Sequence, residues 1–80
     1  MKRIEKEWMS YRYQVLPNDA LSVQIRESRR AFYAGAQALL TEMLLMLDPE
    51  TEPTVADLKK MDEIQNELLE FNEAVKNGEA

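Results

Sequence analysis

Eighty residues with no cysteine, no histidine and a formal net charge of −5 describe one small acidic helical domain, 1–80. That composition excludes disulfides, thiolate chemistry, Cys/His zinc sites and the usual general base of neutral pH. A chain this short buries only about 60% of its unfolded surface, so the expectation is that self-association, as a dimer or higher homo-oligomer, completes the core.

The first predicted element is a helix carrying Ile4, Trp8, Tyr11 and Val15 on one stripe, at i, i+4, i+7 and i+11. Pro17 ends it, because a proline disfavours helix at the residue before it. In the connector PNDALS, residues Asn18, Asp19 and Ser22 each offer a short side-chain oxygen to cap the next helix.

The second helix is predicted from about Ser22 to Leu47. Ile25, Phe32, Ala36, Leu39, Met43 and Met46 make its stripe, and Leu40, Leu44, Leu45 and Leu47 widen the apolar surface well beyond it. A helix apolar nearly all round is expected to be buried on most sides. The segment DPETEPT, with two prolines, is the next break. Thr54 then stands three residues before Asp57, a capping box with a shortened acid. The third helix follows with Leu58, Met61, Ile64, Leu68, Phe71 and Val75; from Met61 the steps are 3, 4, 3, 4, a heptad seam. Asn77-Gly78 supplies the stop. The expected fold is all-α: an N-terminal helix plus a long antiparallel helical hairpin, completed by oligomerisation.

Charge is divided along the chain. Residues 1–47 carry seven cations and five acids, for +2; residues 48–80 carry three cations and ten acids, for −7. That balance argues against direct DNA binding, which calls for a basic domain. No positively charged, apolar leader opens the sequence, and the apolar run Ala31–Leu47 is broken by Gln37, Thr41 and Glu42 and falls short of a span of about 20 residues. A cytoplasmic protein with no membrane span and no cofactor is the expectation.

The candidate site lies in the second helix. Arg26, Arg30, Tyr33 and Gln37 fall at steps of 4, 3 and 4 on one face, with Arg29 flanking the first turn and Thr41 continuing the row. Arginine forks pair bidentately with phosphate, a tyrosine ring stacks on a base, and a glutamine amide matches a base edge. Gly35 and the alanines at 31, 34, 36 and 38 permit close approach of a backbone or a flat ligand. The plainer reading keeps the same residues structural: Arg26 and Arg30 pair with third-helix acids such as Glu67, Glu70 and Glu73, and Tyr33 and Gln37 are boundary residues. Gln37 and Thr41, in the most apolar helix, need partners. In EWMSYRYQ, Trp8 and Tyr11 lie on the core stripe, whereas Arg12 and Tyr13 lie off it and add a second arginine–aromatic pair suited to stacking. No catalytic constellation is present, and the protein is not expected to be an enzyme.

The stretches YRYQVLP, VQIRESRRAFYAGAQALL and LDPETEPTVADLKKMDEI resemble a group of short proteins carried by phages and prophages of Gram-negative bacteria, with ESRRAFYAGA as the most specific piece. More distantly, the second helix is similar to that of the helical-hairpin sponges that phages use against cyclic-nucleotide (CBASS) and Thoeris immunity. Their helix reads Arg, two residues, apolar, two residues, Gly, and Arg29, Phe32 and Gly35 stand at those positions; the order of helices in the hairpin differs. The resemblance implies an oligomeric anti-defence protein of the host-cell cytoplasm that binds a cyclic nucleotide or cyclic ADP-ribose-type signal and sequesters it uncleaved. A different class of function rests on the acidic third helix, which would mimic nucleic acid toward a basic host defence complex, as an anti-CRISPR-like inhibitor does. A helical module whose role is self-assembly alone is a third reading.

Overall fold

The computed structural model describes residues 2–46, 52 and 54–80. Among these residues there are three helices, α1 (Arg3–Val15), α2 (Ser22–Met46) and α3 (Val55–Lys76), and no strand. The expected end of the second helix at Leu47 and most of the break before Thr54 lie outside the described residues. The chain divides into two compact units, Met1–Thr41 and Glu42–Ala80, with the division inside α2.

In the first unit, α1 stops where Pro17 requires. Leu16 is already extended at ψ 143°, and its N–H donates to the Arg12 carbonyl at 3.2 Å. The start of α2 differs from expectation. The Ala20 N–H donates to the Pro17 carbonyl at 3.1 Å, which places Asn18 and Asp19 at the centre of a turn. The first intrahelical bond, Ile25 N–H to the Leu21 carbonyl at 3.0 Å, makes Leu21 the cap residue and puts Ser22 inside the helix. The polar residues of the connector thus serve the turn rather than the cap.

Trp8 is 2% exposed and is the buried hydrophobic residue of the described chain. It packs with Tyr11 on its own helix at 6.1 Å between ring centroids and with Phe32 of α2 at 5.7 Å; Tyr11 also meets Phe32, at 5.6 Å. Tyr13 and Leu16, at the end of α1, share a small cleft with Ile25, near the start of α2. The two helices therefore run in opposite senses along their contact.

No residue of α2 is buried, which corrects the expectation of a helix covered on most sides. Ile25, Ser28, Phe32, Tyr33, Ala36, Met43 and Met46 are half-buried and trace the expected stripe except at Leu39, which is exposed, as are Leu40, Leu44 and Leu45. Gln37 and Thr41 are exposed as well, and they satisfy each other: Gln37 Nε2 donates to Thr41 Oγ1 at 3.4 Å.

In the second unit, α3 has both expected ends. The Asp57 N–H donates to Thr54 Oγ1 at 3.1 Å, and the Thr54 N–H donates to Asp57 Oδ2 at 3.0 Å, closing the capping box. At the other end, Gly78 takes φ +73°. The Glu79 N–H reaches the Ala74 carbonyl at 2.8 Å and the Gly78 N–H reaches Val75 at 3.1 Å, the paired bonds of a Schellman motif. On the seam only Ile64 is half-buried; Phe71 is 63% and Leu68 58% exposed. No described helix is long and apolar enough to cross a membrane.

Candidate functional site: an arginine groove between two helices

A groove of about 920 Å³ runs between α1 and α2 in the first unit. Glu5, Trp8, Met9 and Arg12 form its α1 wall, at i, i+3, i+4 and i+7. Ser22, Ile25, Arg26, Arg29, Arg30 and Tyr33 form its α2 wall. The packing of Trp8 on Phe32 spaces the two helices, and the polar residues one turn to the side of that contact face each other across the gap.

Four of the chain's ten cations therefore converge on one concave surface of a chain whose overall charge is negative. Each guanidinium carries five donors and no acceptor. All four already have a neighbour that orients them. Glu27 Oε1 lies 3.1 Å from Arg30 Nη1 and 3.6 Å from Arg26 Nε; these exposed pairs contribute little to stability but hold two forks side by side. The Arg29 guanidinium lies over the Tyr33 ring, 5.3 Å from its centroid, so the ring face holds the cation in place. Arg12 stacks likewise on Tyr13, at 5.4 Å.

Of the residues singled out from the sequence, Arg12, Arg26, Arg29, Arg30 and Tyr33 meet in this groove. Gln37 does not line it; its amide pairs with Thr41. Tyr13 lines a different, smaller cleft with Leu16, Pro17, Asn18 and Ile25, to which Arg12 also contributes. Glu5, Met9, Ser22 and Ile25 are groove residues that the sequence reading did not assign to a site, and Trp8 serves both core and groove wall. The spacing of Glu5, Met9 and Arg12 along α1 was the available signal.

Gly35 is helical, and an added Cβ there would meet nothing within 4 Å. The close neighbour that its size permits is not supplied by the rest of the described chain. The second unit has a smaller groove of about 470 Å³, where Glu42, Leu45 and Met46 from the end of α2 face Lys60, Glu63, Ile64 and Glu67 of α3. Among the described residues, no cluster of three acidic side chains is placed to hold a metal ion. Comparison with protein-family models, with curated proteins and with solved structures finds no match to this chain.

Proposed function

We propose that the chain binds an anionic, aromatic small molecule of the nucleotide class in the α1–α2 groove and sequesters it without changing it chemically. The observation that carries this reading is the convergence of Arg12 with Arg26, Arg29 and Arg30 around the Tyr33 ring. Forked guanidinium donors recognise phosphate bidentately, aromatic and guanidinium planes take up a base by stacking, and the groove volume is that of a small-molecule site. Holding a ligand needs affinity alone, which suits a chain without histidine or cysteine. The resemblance to helical-hairpin sponges suggests the role: removal of a cyclic nucleotide or cyclic ADP-ribose-type immune signal, as a phage-type anti-defence protein.

In this reading α2 and α3 form the antiparallel hairpin, and the α3 seam receives a second copy of the chain. The seam of Met61, Ile64, Leu68, Phe71 and Val75 is flanked by Leu58, Gln65 and Asn72 on one side and by Lys60, Glu67 and Ala74 on the other. Asp62, Glu63, Glu70 and Glu73 stand away from it. An acidic helix with a nearly neutral seam suits a partner of the same charge, which a second copy is.

Calorimetric titration with a panel of cyclic oligonucleotides and cyclic ADP-ribose isomers, followed by mass spectrometry of the recovered ligand, tests the proposal. Micromolar or tighter binding of one member, its recovery intact, and at least about tenfold weakening in the double variant Arg26→Ala/Arg30→Ala are the expected results. Absence of binding across the panel, or recovery of a cleaved product, overturns it.

The second reading, an inhibitor that docks on a basic host protein, draws on the exposed acids Asp62, Glu63, Glu67, Glu70 and Glu73 of α3. Charge reversal at Glu63, Glu67, Glu70 and Glu73 would then abolish co-purification of a host factor and leave nucleotide binding untouched.

A further inference from the structure

Glu5 is out of place in a groove built to attract anions. It is half-buried on the α1 wall, yet among the described residues it forms no ion pair with any of the four groove arginines; the carboxylate that pairs with Arg26 and Arg30 is Glu27 of their own helix. Its position in the first turn of α1 favours the helix through the macrodipole. That role accounts for an acid in this turn, but it does not require the acid to be on the groove side.

Position along the groove gives Glu5 a function. Glu5 and Arg12 are seven residues apart on α1, about 10 Å along the helix axis. Because α1 and α2 run in opposite senses, Arg12 lies toward the Ser22 end of the α2 wall and Glu5 toward the Tyr33 end. Arginines run along the α2 wall as far as Tyr33, whose ring Arg29 covers, and Glu5 is the single carboxylate among the groove-lining residues, set toward that same end. A nucleotide lying along the groove with its phosphate on the arginines nearer the connector brings its base edge toward Glu5.

An ionised carboxylate only accepts hydrogen bonds, so it selects base edges that donate. Adenine and cytosine each present one amino group beside a ring-nitrogen acceptor, and uracil presents one N–H between two carbonyls. Guanine alone offers two adjacent donors, N1–H and the 2-amino group, which the two carboxylate oxygens accept side by side. We infer that Glu5 reads a guanine-type donor edge stacked at Tyr33, so the ligand is a guanine nucleotide rather than an adenine one such as cyclic ADP-ribose. This inference rests on the nucleotide-binding reading above and narrows it.

Calorimetry of the full chain with GMP, IMP and AMP and with cyclic di-GMP and cyclic di-AMP tests it. The expected result for the unaltered chain is guanine binding at least about tenfold tighter than adenine, with hypoxanthine, which lacks the 2-amino group, in between. Glu5→Gln keeps the shape of the side chain but replaces one acceptor with a donor. It brings guanine and adenine to within about threefold of each other while phosphate affinity stays the same or rises; a purely helix-stabilising Glu5 would leave that ratio unmoved. Equal affinities for guanine and adenine in the unaltered chain, or a preference that survives Glu5→Gln, overturn the inference and leave the nucleotide groove standing. Failure of all five probes to bind overturns the groove reading itself.

Discussion

Trp8 and Phe32 meet edge to face, with ring centroids 5.7 Å apart and planes at 61°. This geometry places the positive edge of one ring against the negative face of the other. It ties α1 to α2 and thereby builds both walls of the arginine groove. Trp8→Ala removes the most deeply buried side chain of the described chain and should cost about 3–5 kcal/mol, enough to unfold the first unit. Phe32→Leu keeps an apolar contact and should cost about 1–2 kcal/mol. Urea denaturation followed by far-UV circular dichroism measures both, and a cost below 1 kcal/mol for Trp8→Ala would deny this contact its organising role.

Glu27 bridges Arg26 and Arg30 within one turn of α2 and, on the nucleotide reading, competes with a ligand phosphate for their guanidinium groups. Glu27→Gln should change fold stability by no more than about 0.5 kcal/mol, because exposed pairs of this kind contribute little. The same substitution removes a competing anion and should tighten binding of a phosphate-bearing ligand several-fold. Calorimetry and urea denaturation on one preparation separate the two effects; weaker binding would show that Glu27 positions the arginines rather than competing for them.

Gly35 faces open space from the middle of a helix. Gly35→Ala should therefore stabilise the chain by about 0.5–1 kcal/mol through the helix propensity of alanine, read as a rise in melting temperature. Destabilisation instead would reveal a second copy of the chain packed against this residue.

The capping box of α3 is a local device with a local cost. Thr54→Ala removes the acceptor of the Asp57 N–H and should lower stability by about 1 kcal/mol, with loss of helical circular dichroism at the start of α3.

If the α3 seam receives a second copy, Leu68→Glu places a charge in the middle of it. Sedimentation equilibrium should then show a monomer across the concentrations at which the unaltered chain associates. An unaltered chain that stays monomeric throughout would remove the seam from the interface.

Most of the secondary structure was legible because it obeys rules a few residues long. Pro17 stops α1, Thr54 and Asp57 start α3, and Gly78 ends it in the left-handed conformation. The start of α2 was less legible because Asn18 and Asp19 suit a turn as well as a cap, and the turn took them. The arginines of α2 were visible as a cluster, but the wall opposite them was not. Glu5 and Met9 are unremarked residues of an amphipathic helix until Trp8 docks on Phe32 and turns them toward Arg26 and Arg30. Gln37 shows the same dependence on packing: it continues the row on α2, but it does not line the groove and its amide turns to Thr41 instead.

The aromatic residues are unevenly distributed. Trp8 and all three tyrosines, Tyr11, Tyr13 and Tyr33, belong to the first unit, and Phe71 is the one aromatic residue from Glu42 onward. Ultraviolet emission excited above the phenylalanine band therefore comes from the first unit alone, whereas far-UV circular dichroism sums the helices of both. Thermal transitions recorded by the two signals would coincide if the units melt together and separate if they melt apart. The unmodified chain thus carries its own optical label for the half that contains the groove, and the label sits in the groove wall.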